Sequence, residues 1–166
     1  MILYHGSNVE IFDIDLSMSK PYKDFGRAFY LSADKKQAEA LAEATVARTG
    51  KGVCTISSFS FDESLMEAST LKVKTFNGYS EEWAEFILNN RNRDFKDINS
   101  EKCNFDNKYD LVIGPVADDD IIVLFRTFMD GLIDIDTLIK ELTYKELTDQ
   151  YSFHTSEALK YLKGVQ

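Results

Sequence analysis

The stretch "AFYLSADKKQAEALAEATVARTG", residues 28–50, decides how the chain is read. Its first five residues have the composition of a strand, and alternation puts Phe29 and Tyr30 on opposite faces. Asp34 stands three residues before Gln37, a capping-box spacing, and strong helix formers follow. Gly50 and Gly52 close that helix. A strand therefore gives way to a capped helix within a few residues.

Towards the N-terminus, residues 2–5 read as a short strand and residues 8–27, "NVEIFDIDLSMSKPYKDFGR", as a long irregular loop. Towards the C-terminus, residues 53–61, 71–76, 109–114 and 150–155 read as strands. Helices are expected over 80–90, behind a serine cap, over 118–131, over 134–147, and over 156–164 at the end of the chain. Strands separated by helices and long loops, without a regular βαβ rhythm, predict an α+β fold. No repeat or linker interrupts the 166 residues, so a single domain, 1–166, is expected.

The formal net charge of −9, with Lys and Arg scattered among acids, argues against passive binding of nucleic acid. It leaves room for a small anionic ligand, which needs only one or two local cations and some backbone N–H groups. No run reaches the length of a membrane span, and the N-terminus has no secretory pattern, so a cytoplasmic protein without membrane contact is expected. Cys54 and Cys103 are too few for a disulfide framework or a zinc site. Cys54 reads as a buried thiol on a strand, and a Cys54/His154 nucleophilic pair has no local signature. The acids of "ADDD", 117–120, read as the opening of a helix. "DIDLS", 13–17, lacks the glycine and distal glutamate of a calcium loop. No metal is expected.

Three stretches carry candidate chemistry. In "LYHGS", residues 3–7, His5 precedes Gly6. Either the strand simply ends in a turn, or the glycine lets a ligand approach the backbone. In "DFGRAFYLS", residues 24–32, Tyr30 either packs in the core or faces a cleft, where it can stack on a planar ring. In "DQYSFHT", residues 149–155, Gln150, Ser152 and His154 share one face, as on a polar groove or a solvent-facing edge strand.

Taken together, "YHGS…GRAFYLS…DQYSFHT" resembles the diphtheria-toxin-like branch of the ADP-ribosyltransferase superfamily, and in it a bacterial domain family of about this length. The resemblance spans nearly the whole chain. It implies two small packed sheets, antiparallel or mixed, that form an NAD cleft flanked by helices. It implies that His5 bonds the adenosine-side ribose, that the Gly6 backbone holds the carboxamide, and that Tyr30 stacks on nicotinamide. Ser7, Ser32, Arg27 and Lys23 are further candidates around NAD, the two cations for its pyrophosphate.

The third position of that branch is usually glutamate, and here it is Gln150. An amide accepts a ribose hydroxyl bond but carries no charge and cannot act as a base. Glu146 and Asp149 are nearby acids that could substitute. The resemblance implies an NAD-dependent mono-ADP-ribosyltransferase, a pentosyltransferase acting on an unknown protein or nucleic acid. A toxin, toxin–antitoxin or phage-defence role, with an inhibitory partner, goes with it. NAD hydrolysis, or a weakly active binding module of the same fold, are the alternatives.

Overall fold

The computed structural model describes residues 1–66, 70–143 and 147–165. Among these residues seven strands run β1 Ile2–Ser7, β2 Phe29–Ser32, β3 Thr55–Phe61, β4 Val73–Thr75, β5 Leu111–Pro115, β6 Asp149–Phe153 and β7 Leu162–Val165. Among the described residues the helices are α1 Lys35–Thr49, α2 Glu81–Arg91, α3 Asp119–Met129, α4 Ile135–Thr143 and the one-turn α5 Ser156–Leu159. The fold is α+β. None of these helices is long and apolar enough to cross a membrane.

The caps explain where the helices start. Asp34 accepts from Lys36 N ahead of α1, Ser80 from Trp83 N ahead of α2, and Asp118 from Ile121 N ahead of α3. Each satisfies an N–H that has no partner within its helix. Gly50 ends α1 in the left-handed region at φ 63°, where a glycine carries no Cβ penalty. The acids of "ADDD" thus begin a helix, and Asp15 of "DIDLS" caps a 3-10 turn at Leu16–Met18.

Three expectations are corrected. The strands form one seven-stranded sheet in the order β4-β5-β6-β2-β1-β3-β7, not two packed sheets. The reason is that β2 hydrogen-bonds on both sides, to β6 over Phe29–Ser32 and to β1 at Tyr4↔Ser32. The chain end is not one helix over 156–164. α5 stops at Leu159, and Leu162–Val165 pairs antiparallel with β3. Cys54 is exposed, one residue before β3 begins. In the expected helix over 134–147, Tyr144–Glu146 lie outside the described residues, and with them Glu146 as a substitute acid.

The register sorts the sheet into two faces. Tyr4 pairs with Ser32, Tyr30 with Ser152 and Ser32 with Gln150, so these side chains and Gly6 share a face. Leu3, His5, Phe29, Leu31, Tyr151 and Phe153 take the other. There, Leu3, Phe29, Leu31, Phe59, Phe61 and Phe153 build one core, with Ile11, Ile14 and Leu16 of the long loop packed against it. On the first face α1 lies over β1, while α2 and α3 build a second core with Phe25, Phe76, Trp83, Phe86, Val112 and Phe125. Between α1 and the α2–α3 pair, a gap is left above β2 and β6.

Candidate functional site

That gap is a cavity of about 260 Å³. Its floor is Tyr4 and Gly6 of β1, Tyr30 and Ser32 of β2 and Gln150 of β6. Gln37, Ala38 and Leu41 of α1 form one wall; Asp24, Arg91 and Ala117 form the other, with Lys23 beside them. Five of the residues singled out in the sequence, Gly6, Lys23, Tyr30, Ser32 and Gln150, therefore meet in one place. Four of them come from three strands and Lys23 from the loop before β2.

His5, Ser7 and Arg27 do not line this cavity. His5 faces the opposite side of the sheet and stacks on Phe29 with ring centroids 4.5 Å apart. Its Nδ1 is 2.8 Å from the Tyr30 carbonyl oxygen. A carbonyl only accepts, so Nδ1 carries the proton. Burial pushes the imidazole pKa below its usual value; the Tyr30 carbonyl opposes this, and the Lys23 charge adds to it. Arg27 is exposed and donates to the Ser17 and Ser19 carbonyls at 3.1 and 2.7 Å, holding the 3-10 turn. Ser7 reaches Asn8 Oδ1 at 3.5 Å.

The missing side chain of Gly6 has a structural use. A Cβ there would come within 1.8 Å of the Ala38 carbonyl oxygen and 3.0 Å of Ala42 N. The close approach that the glycine permits is that of the α1 backbone. It still lines the cavity beside the helix.

Tyr30 holds the wall that carries Asp24. Its hydroxyl donates to Gly26 O at 2.7 Å and accepts from Phe25 N at 3.0 Å, clasping the turn "DFG", residues 24–26. Phe25 anchors the turn in the core, and Gly26 sits at φ +96°, where a side chain would be strained. Burial pushes the phenol pKa well above its ordinary value, and the negative charge of Asp24 pushes it further. The hydroxyl stays protonated, and the side chain lines the cavity while packing against the second core.

Asp24, Arg91 and Gln150 form the polar centre. Arg91, the last residue of α2, donates from Nε and Nη2 to Asp24 Oδ1 at 2.9 and 2.7 Å. Its Nη2 also meets Ala117 O at 2.9 Å. Asp24 Oδ2 accepts from Gln150 Nε2 at 2.8 Å and from Ala117 N at 3.3 Å. Asp24 is 8 % exposed, so its charge depends on these donors. The sequence singles out neither Asp24 nor Arg91. They are 67 residues apart, and Asp24 is 126 from Gln150. The only local signal is the "KDFG" turn beside the Tyr30 strand.

A family model described as a protein of unknown function, DUF3990, matches residues 1–163. The chain belongs to the DUF3990 family. No curated protein and no solved structure matches it. In this DUF3990 chain the remaining polar candidates are structural. Ser152 and His154 are buried; Ser152 Oγ lies 2.9 Å from both the Val112 carbonyl oxygen and His154 Nε2. His154 Nδ1 meets Arg27 O at 3.1 Å, so both ring nitrogens are engaged and neither is left for Cys54. Asp149 alternates to the sheet face opposite Gln150, and burial raises its pKa. It is not placed to replace the amide in the cavity.

Proposed function

We propose that the chain is an NAD-dependent mono-ADP-ribosyltransferase. One observation carries the reading: Gly6, Tyr30, Ser32 and Gln150, the residues that the resemblance implies from three separate motifs, line the same cavity. Its volume of about 260 Å³ suits a nicotinamide ring and part of its ribose, with the remainder of NAD extending across the mouth. The ring of Tyr30 would stack on nicotinamide. Gln150 would accept a hydrogen bond from a ribose hydroxyl. Lys23 would face the pyrophosphate. His5 would act from behind the sheet, through its bond to the Tyr30 carbonyl.

In the reaction the bond between ribose C1′ and the nicotinamide nitrogen breaks, and its electron pair leaves with neutral nicotinamide. The ribose becomes oxocarbenium-like, as in glycoside cleavage. A nucleophilic oxygen or nitrogen of the acceptor forms the new bond to C1′ and releases its proton to solvent. The acceptor would be a protein or a nucleic acid.

NAD hydrolysis uses the same cavity with water as acceptor. A binding module of the same fold is favoured by the uncharged amide at position 150. The deciding experiment is incubation of the chain with labelled NAD and bacterial lysate, with nuclease- and protease-treated controls. Label on a macromolecule supports transfer; free ADP-ribose alone sinks transfer and leaves hydrolysis. Tyr30→Ala is expected to weaken NAD binding at least about 10-fold through the lost stacking surface. Unchanged affinity in a folded Tyr30→Ala variant would remove NAD from this cavity.

A further inference from the structure

Asp24 is a buried carboxylate on the wall of the cavity, and its two oxygens are divided between two tasks. Oδ1 takes both Arg91 donors, and Oδ2 takes the Gln150 amide at 2.8 Å. The Gln150 amide nitrogen also faces the Pro115 carbonyl oxygen at 3.4 Å. Both of those neighbours only accept, so the NH₂ end of the side chain must point at them. The carbonyl oxygen, Oε1, is then the end of Gln150 left for a ligand.

We propose that Asp24, held by Arg91, is a positioning residue that fixes Gln150 with Oε1 available to the ribose and passes part of its negative charge to that oxygen. The inference rests on the NAD reading of the cavity. An amide whose N–H donates to a carboxylate is polarised, and electron density shifts onto its carbonyl oxygen, because linked hydrogen bonds strengthen one another. Oε1 thus becomes a stronger acceptor for a ribose hydroxyl as positive charge develops at C1′. The negative charge missing from position 150 resides at position 24, one hydrogen bond away.

This arrangement makes a specific demand on substitutions. Gln150→Glu alone sets a second carboxylate against Asp24 Oδ2 where a donor now sits. Like charges at that separation cannot both persist, so the pair takes up a proton or moves apart. Gln150→Glu is therefore expected to lower turnover and stability. In Asp24→Asn/Gln150→Glu the roles exchange. The amide introduced at position 24 offers its carbonyl to Arg91 and its NH₂ to the carboxylate introduced at position 150, losing the two long bonds, from Ala117 N and to the Pro115 carbonyl.

The test is nicotinamide release from NAD by the full chain, with kcat and KM measured separately, and a thermal unfolding cycle on the same four proteins. Asp24→Asn is expected to lower kcat about 10- to 100-fold with KM nearly unchanged, the range for a residue that orients a ligating group. Gln150→Glu should fall below wild type, and the exchanged pair should exceed Gln150→Glu in both kcat and melting temperature. A folded Asp24→Asn with wild-type kcat would overturn the proposal. So would an exchanged pair no better than Gln150→Glu in both readouts. If Asp24→Asn does not fold, the comparison of Gln150→Glu with the exchanged pair decides. A wild-type chain that neither binds NAD nor releases nicotinamide overturns the NAD reading and the ribose role with it. The unfolding cycle then still tells whether Asp24 and Gln150 act as an acid–amide pair.

Discussion

Gly6 of β1 faces the Ala38 carbonyl of α1 so closely that a methyl group on the glycine would lie 1.8 Å from that oxygen. Backbone cannot yield as a flexible side chain does. Gly6→Ala must therefore push α1 off the sheet or bend β1. The expected cost is about 3 kcal/mol or more, at the upper end of overpacking effects. Urea unfolding checks it, and a loss below about 1 kcal/mol would mean that the helix moves freely. Both elements line the cavity, so NAD affinity should fall along with stability.

His154 predicts an acid-sensitive fold. Burial lowers its pKa from 6.5 to about 4, against the smaller opposing effects of the Arg27 carbonyl and Asp110. In the unfolded chain the ring takes a proton near its ordinary value; in the folded chain it does not until about pH 4. The unfolded state thus binds more protons between these two values, and stability falls as pH falls through that window. Above the ordinary value both states are neutral and the contribution is complete. The loss by the acid end is about 3 kcal/mol. His5, lowered in the same direction, adds to it. Unfolding free energies measured across the window should show this slope in wild type and a shallower one in His154→Gln. Equal slopes would rule out His154 as the cause.

Arg91→Met removes the main charge partner of Asp24 and leaves a buried carboxylate with two neutral donors. Breaking such a pair is expected to cost about 3 kcal/mol. Asp24→Asn/Arg91→Met should recover part of that loss, because the uncompensated charge is gone. A double variant no more stable than Arg91→Met would show that packing of the long side chain, rather than charge, explains the effect.

Tyr30→Phe keeps the ring but deletes the hydroxyl that clasps Phe25 N and Gly26 O. The buried donor and acceptor left behind predict a loss of about 2 kcal/mol. Because the same turn carries Asp24, the effect should couple with Arg91→Met instead of adding to it. A double-mutant cycle reads that coupling. NAD binding should change less in Tyr30→Phe than in Tyr30→Ala, since the stacking surface remains.

Local chemistry was legible in the sequence wherever it acts over a few residues. The Asp34 cap, the Gly50 stop and the Ser80 cap are each formed within one helical turn, and each was readable from residue type and position. Asp34, however, caps Lys36 N, and its own N–H goes to Ser32 Oγ instead of closing a box with Gln37. The alternation that separates Phe29 from Tyr30 is equally local. The C-terminal strand was hidden because "SEALKYLKG" has helical composition, and Leu162–Val165 becomes a strand only because β3 offers an open edge.

For the site, alternation along each strand was enough to sort Tyr30, Ser32 and Gln150 onto their faces. That Gly6 admits a helix, that His5 lies behind the sheet, and that Asp24 and Arg91 join Gln150 follows from the packing of distant segments. The difference is one of reach. Caps and alternation depend on neighbours a few residues away, whereas a buried carboxylate is matched to its donors by the packing of segments 67 and 126 residues apart.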